Sequence, residues 1–422
     1  MSEWISKPLG KTVTFQKGRK VETSAEELPG YQRYLGAGSL VGKNDGYAST
    51  VNAVRATSKD VLMLWDGERS GLVGYNLEGV VSSTVSKLAT LGEVTAPYLY
   101  YFLSRNFEWI QNRRTGTGVP HVPKDLGRIM SVDFPKCEET QKQITTILQT
   151  IDEAIEQTEA LIEKYSLVKA GMMHDLFTRG LTPDGKLRPP REEAPDLYKE
   201  TPIGWLPKEW DCSDLQDLLA PLPNNLRSGP FGSALLKSEL VEDGIPFLGI
   251  DNIHVERFVP VYRRFVSDRK YRELIKYSVR PNDLVITIMG TVGRCAVVPE
   301  TVETALSSKH LWTISLDQSA VIPALVCWQM NYAFWVKKWF RRETQGGIMD
   351  AIQSKTLKTL KLPVPPMPEQ ILIADRYTAL SGQLRFEQER LGKLQLQKAG
   401  LMHDLLTGEV PVKIDEAEVA HV

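Results

Sequence analysis

The sequence predicts an α+β protein made by tandem duplication: two mixed α/β globular segments, each followed by a long helix, with the two helices paired as a coiled coil. Three observations carry this. KAGMMHDLFTRG at 169–180 returns as KAGLMHDLLTGE at 398–409, with Lys, Ala, Gly, Met, His, Asp, Leu and Thr recurring at a fixed separation of 229 residues. At that separation Gln141 falls on Gln370 and Ile144 on Ile373, so the match runs back through a whole helix without a gap. Strand-like runs in the two globular segments also resemble one another, DVLMLWDG from Asp60 and DLVITIMG from Asp283. A period this long excludes solenoids and propellers, whose repeats span tens of residues.

In chain order, residues 1–140 form the first globular segment, opening with Glu3-Trp4, which resembles Glu209-Trp210 in the second copy. Residues 141–180 form the first rod. Ile144, Ile151, Tyr165 and Met172 recur at multiples of seven, with Leu148, Ile155 and Ile162 between them, the seam of a coiled-coil helix. Residues 181–200, LTPDGKLRPPREEAPDLYKE, are dense in proline and charge and predict an extended linker. The second globular segment covers 201–366 and the second rod 367–410, with Ile373, Leu380, Leu394 and Leu401 on one row and Tyr377, Leu384, Leu391 and Leu405 on another. A tail follows at 411–422. Each rod is about 50 Å long and too one-sided to be stable alone, so its partner is the other copy. Gly171 and Gly400 cost about 1 kcal/mol inside a helix, which suggests close helix crossing, whereas Gly180 and Gly408 read as terminators.

A 422-residue chain with 42% hydrophobic residues has ample material for packed cores. No apolar run is long enough to span a bilayer and no basic-then-apolar leader opens the chain, which predicts a cytoplasmic protein without membrane contact. Cys137, Cys212, Cys295 and Cys327 are scattered with no CxxC pair, so neither a disulfide framework nor a zinc site is expected. The net charge is −1, but residues 257–294 hold nine basic against three acidic side chains, a net of +6. A local basic surface is what phosphate binding needs, though the same run also suits a solvated charged face.

Catalytic signatures fail on inspection. GAGSLVGKN at 36–44 has the wrong spacing for a phosphate-binding loop and Asn44 in place of the hydroxyl, and it misses GxGxxG by one residue. An Asp/Asn-Pro-Pro-aromatic methyltransferase signature is missing. His174-Asp175 and His403-Asp404 are neighbours on a helix and point about 100° apart, which favours helix-end packing or subunit contact over a dyad. The aromatic run YAFWVKKWF at 332–340 could stack on bases, but Trp335 and Trp339 more readily form the buried side of an amphipathic helix. Gly-rich loops beside basic residues, WDGERSG (65–71), RRTGTGVPH (113–121), RSGPFGS (227–233), GTVGR (290–294) and TQGGIMD (344–350), let backbone approach phosphate while Arg or His reaches a base edge. They also suit ordinary turns.

The arrangement resembles the DNA-specificity subunit of type I restriction-modification systems over nearly the whole chain. The resemblance rests on GWLPKEW (204–210), SGPFGS (228–233), GIPFLGIDNI (244–253), RPNDLVIT (280–287), TQGGIMDAI (344–352), PVPPMPEQ (363–370) and the KAG-x-MHDL-x-T endings. Where the second half has PPMPEQ, the first has the degraded FPKCEETQKQ from Phe134.

The resemblance implies two target-recognition domains, each reading one half of a split, asymmetric DNA sequence, and two helical repeats paired antiparallel as a spacer with pseudo-two-fold symmetry. It implies a non-catalytic chain carrying no cofactor or metal. Two methyltransferase (M) subunits would use S-adenosylmethionine to methylate adenine N6, and two restriction/translocase (R) subunits would use ATP and Mg2+. The expected contacts to double-stranded DNA are Arg69, Arg113, Arg114 and His121 in the first domain and Arg227, Lys237, Arg294, Lys309 and His310 in the second. Two alternatives stay open: a coiled-coil scaffold that binds only protein, and a self-contained modification enzyme.

Overall fold

A computed structural model describes residues 3–116, 118–344 and 352–412. The chain divides into two compact units, Met1–Ile162 with Glu387–Val422, and Glu163–Phe386. Each long helix therefore gives one half to each unit. The first runs Glu138–Thr178 and the second Met367–Thr407, 41 residues apiece. The first begins three residues earlier than the heptads indicate, with Glu138 and Glu139 at the positive end of the helix dipole. Both are released by a left-handed glycine, Gly180 at φ +64° and Gly408 at φ +75°. Gly171 and Gly400 do not mark a close crossing: a Cβ on either meets nothing within 4 Å.

Within each unit the N-terminal half of one helix lies against the C-terminal half of the other, so the coiled coil is antiparallel. In the first unit Ile144 and Leu148 share a core with Met402, Leu405 and Leu406, and Lys398 Nζ sits 2.5 Å from Asp152 Oδ1. In the second, Met173, Leu176 and Phe177 share a core with Ile373 and Tyr377. Burying such side chains stabilises the pairing by about 1.5–3 kcal/mol each.

The globular parts have the same construction. In the first unit a four-stranded sheet runs in the order Val13–Lys17, Val85–Thr90, Val61–Leu64, Val73–Gly74, beside a five-stranded sheet ordered Thr23–Ser24, Tyr47–Ser49, Tyr31–Leu35, Gly79–Val81, Arg55–Ala56. The second unit repeats both orders strand for strand: Leu226–Ser228, Leu311–Ile314, Leu284–Thr287, Cys295–Val297, and Leu240–Val241, Phe265–Val266, Ile245–Leu248, Ala305–Ser307, Ser278–Val279. Even the parallel pairing recurs, Tyr31–Leu35 with Gly79–Val81 and Ile245–Leu248 with Ala305–Ser307. The runs from Asp60 and Asp283 are thus one strand written twice, fully buried in both copies. An antiparallel pair closes each domain where it meets its helix, Trp4–Pro8 with Ser131–Pro135 and Asp211–Asp214 with Lys361–Val364.

Gln141 and Gln370, both fully buried, clip helix to domain in the same way. Gln141 accepts from Thr95 N–H at 2.8 Å and donates to the Glu93 and Pro135 carbonyls at 2.9 Å. Gln370 accepts from Ile322 N–H at 2.8 Å and donates to the Ala320 and Pro365 carbonyls at 2.9 and 2.8 Å.

The start of the linker is bound down rather than free. Arg188, 6% exposed, pairs with Glu369 and with Glu209, and Glu369 also accepts from Leu181 N–H at 2.7 Å and Trp210 Nε1 at 3.0 Å. At the separation of 229 residues the counterpart of Glu369 is Thr140, which has no carboxylate to hold an arginine, so the clamp has no equivalent at that position. Among the described residues no helix is long and apolar enough to cross a membrane.

Candidate nucleic-acid interface

In the second unit the loops at one end of the two sheets converge. Gly229 N–H donates to the Ser308 carbonyl at 3.2 Å, Ser228 Oγ to the Lys309 carbonyl at 3.3 Å, and Ile288 N–H to the His310 carbonyl at 3.0 Å. The loops enclose a cavity of about 400 Å³ whose floor includes Leu235, Leu240 and Phe247 and whose rim carries Lys237, Arg264, Lys309 and His310. Three of the four rim groups are expected contacts. Arg264 is one that the sequence did not single out: it lies over Gly249, where a Cβ would collide with its guanidinium, and is held there by Asp251. His310 Nδ1 rests 2.9 Å from Met289 Sδ. Burial, with Lys309 and Arg264 nearby, holds its pKa below the ordinary histidine value, so the ring is neutral at pH 7 and can both donate and accept.

The structure does not bring the other two expected residues there. Arg227 is a correction: it is 5% exposed, paired with Asp283, and donates to the Ser278 and Asn224 carbonyls, so its guanidinium belongs to the core. Arg294 lines a separate depression with Lys337, Val292 and Phe340. The basic run 257–294 is also less available than its count implies, because Arg264, Arg269 and Lys270 each pair with an acid.

In the first unit WDGERSG and RRTGTGVPH come together. Gly67 N–H donates to the Pro120 carbonyl at 2.8 Å and Val122 N–H to the Trp65 carbonyl at 2.9 Å. Between them Asp66 receives His121 Nδ1 at 2.7 Å and Lys17 Nζ at 2.6 Å. Arg113 stacks 3.9 Å from the Trp109 ring centre, and Arg114 is fixed by its Nε on the Gln111 carbonyl and its Nη1 on the Glu68 carbonyl at 2.6 Å. Arg69 is exposed and has no side-chain partner among the described residues. All four expected residues of this domain therefore stand on two adjoining loops. In the loop TQGGIMD, residues 345–350 lie outside the described residues.

Other motifs resolve into packing. The amides of GAGSLVGKN are taken by Asp45, whose Oδ2 accepts from Gly36 N–H at 3.1 Å and Ser39 N–H at 2.7 Å, where a phosphate would otherwise lie. Of the expected pair Trp335 is buried and Trp339 only half-buried, with Phe340 buried beside them and Phe334 exposed. His174 and His403 are exposed beside buried Met173 and Met402. Lys169 and Lys398, whose shared role the sequence hid, each join the helix pair to its domain. Lys169 Nζ lies 3.1 Å from Glu256 Oε2 and 4.8 Å from the Tyr377 ring centre; Lys398 meets Asp152, which also accepts from Tyr101 Oη at 2.8 Å.

The family model for the type I restriction modification DNA specificity domain matches residues 1–164 and 236–396. The chain belongs to that family. It is 26% identical over 425 residues to the type I restriction enzyme MjaVIII specificity subunit of Methanocaldococcus jannaschii, covering 97% of this chain and 94% of the relative. To the EcoBI specificity subunit of Escherichia coli it is 20% identical over 328 residues, 76% of this chain and 66% of that one. The type I S subunit of M. genitalium has the same fold, with a TM-score of 0.60 at 16% identity over 96% of both chains. A chain from work on complex assembly and conformational transition of the type I R-M system matches at TM-score 0.55 and 15% identity, over 96% of this chain and 98% of that one. This specificity-family chain thus carries two domains of one topology whose loop ends differ in chemistry.

Proposed function

We propose that this chain is the non-catalytic, cytoplasmic DNA-reading subunit of a type I restriction-modification complex, that each domain reads one half of a split, asymmetric target, and that the antiparallel helices set the gap under a pseudo-two-fold axis. The observation that carries it is the duplicated domain with one fold and two different sets of polar groups at the same loop ends. Lys237 and Arg264 in one domain, and Arg69, Arg113 and Arg114 in the other, supply phosphate contacts, while Lys309, His310 and His121 reach base edges. S-adenosylmethionine, ATP and Mg2+ belong to partner subunits.

Two partner methyltransferases fit the repeated helix ends, and two R subunits complete the assembly. Leu167, Ala170, Gly171 and His174 lie at helical spacing on one exposed face, and Leu396, Ala399, Gly400 and His403 repeat it residue for residue. The leucines are 69% and 76% exposed, so identical apolar faces stand open where no intramolecular packing requires identity. Mapping N6-methyladenine in the source genome with and without this gene tests the reading. Loss of methylation at one split motif with a fixed gap is expected; an unchanged methylome with the partner methyltransferase expressed contradicts it and favours the protein-only scaffold.

A further inference from the structure

The two domains correspond strand by strand, and one turn keeps its place in both. In each, the chain leaves the five-stranded sheet and enters the four-stranded sheet through a tight turn, Ser82–Val85 in the first domain and Ser308–Leu311 in the second. The framework is the same in both. Val85 N–H donates to the Ser82 carbonyl at 2.9 Å and Leu311 N–H to the Ser308 carbonyl at 3.1 Å. The third turn residue is held by the neighbouring loop, Thr84 carbonyl by Trp65 N–H at 2.7 Å and His310 carbonyl by Ile288 N–H at 3.0 Å. Gly18 and Gly229 press on the turn so closely that a Cβ on either would collide with its backbone carbonyls.

On this shared frame the central side chains differ in size and charge. The first domain presents Ser83 and Thr84, with Thr84 Oγ1 3.0 Å from Ser82 Oγ, which accepts from Tyr34 Oη at 3.0 Å. The second presents Lys309 and His310, with Phe247 at the strand position of Tyr34 and Met289 at the loop position of Asp66. Two copies that keep a turn's backbone contacts and exchange its side chains have had the side chains, not the turn, under different demands.

We infer that these turns are the specificity-determining elements of the two domains, with Ser83 and Thr84 setting a base choice in one half of the target and Lys309 and His310 in the other. The inference rests on the DNA-reading function proposed above. Hydroxyls donate and accept and suit several base edges, whereas Lys309 only donates and selects for acceptor atoms such as guanine O6 and N7. The two half-targets therefore differ at the base pairs facing these turns.

The experiment uses the full chain assembled with its methyltransferase partner and measures methylation of a library in which each target position is varied in turn. The double variant K309S/H310T is expected to change discrimination by about ten-fold or more at one or two adjacent positions of one half-site, leaving the other half as it was. S83K/T84H is expected to act on the opposite half. The single variants Lys309→Ser and His310→Thr give the same reading if a double variant does not assemble. A uniform loss across all positions, or unchanged discrimination in every variant, overturns the inference. A wild-type complex with no split target would instead overturn the function on which the inference rests.

Discussion

Gln141 and Gln370 make the same three hydrogen bonds, whereas Thr84 and His310, at one position of one turn, are a small hydroxyl and an imidazole with different partners. The first pair sits where each domain is fastened to a long helix; the second sits at the far end of the sheets. After duplication the fastening was held and the loop ends were released. The clamp at Arg188–Glu369, with Thr140 at the counterpart position of Glu369, shows that the helix ends were not wholly frozen either.

That contrast can be broken by substitution, and the largest effect is expected where the copies differ most. Glu369→Ala leaves the buried Arg188 with only the exposed Glu209 to pair with, and orphans the Leu181 amide and the Trp210 indole, so it should destabilise the second unit by about 3–5 kcal/mol, whereas Thr140→Val should stay within about 1 kcal/mol; chemical denaturation of the two variants reads the difference. Gln141→Ala and Gln370→Ala each orphan a buried amide and two carbonyls. Each should cost about 2–3 kcal/mol, and costs that differ by more than the cost itself would mean that the two clips are not equivalent. Lys169→Met and Lys398→Met should weaken the helix-to-domain junctions by roughly 1–2 kcal/mol each, read as lowered thermal midpoints. Arg69→Ala should do least: stability unchanged, and the salt dependence of DNA binding by the assembled complex reduced in slope by about one.

The duplication and the rods were legible because identical residues at a fixed separation and a seven-residue seam are local signals. The equivalence of the strands from Asp60 and Asp283 was legible differently, from an apolar run bracketed by Asp and Gly in both, since they stand off the separation of 229 that the helices keep. Arg227 was misread since its fate is set by Asp283, 56 residues away, and nothing adjacent to a Gly-rich loop announces a distant acid. Arg264 was counted in the basic run but not singled out, because it stands beside no such loop and reaches the site over Gly249. Each of the first domain's loops was legible by itself because WDGERSG and RRTGTGVPH carry glycines, and the chain uses Gly67 at φ +117° and Gly116 at φ +106° for left-handed turns; that the two loops adjoin was not. Glu256, which reaches Lys169 and Tyr377 from a domain loop with φ +59°, left no mark in the sequence at all.

The division of labour between shared helices and separate readers is tested most directly by lengthening the helices. Adding one heptad to each at matching points lengthens the pair by about 10 Å, close to three base pairs of duplex. Mapping the methylated sequence of the assembled complex should then show both half-sites unchanged with the gap between them widened by about three. An unchanged gap, or half-sites altered by a change made only in the helices, would contradict the account.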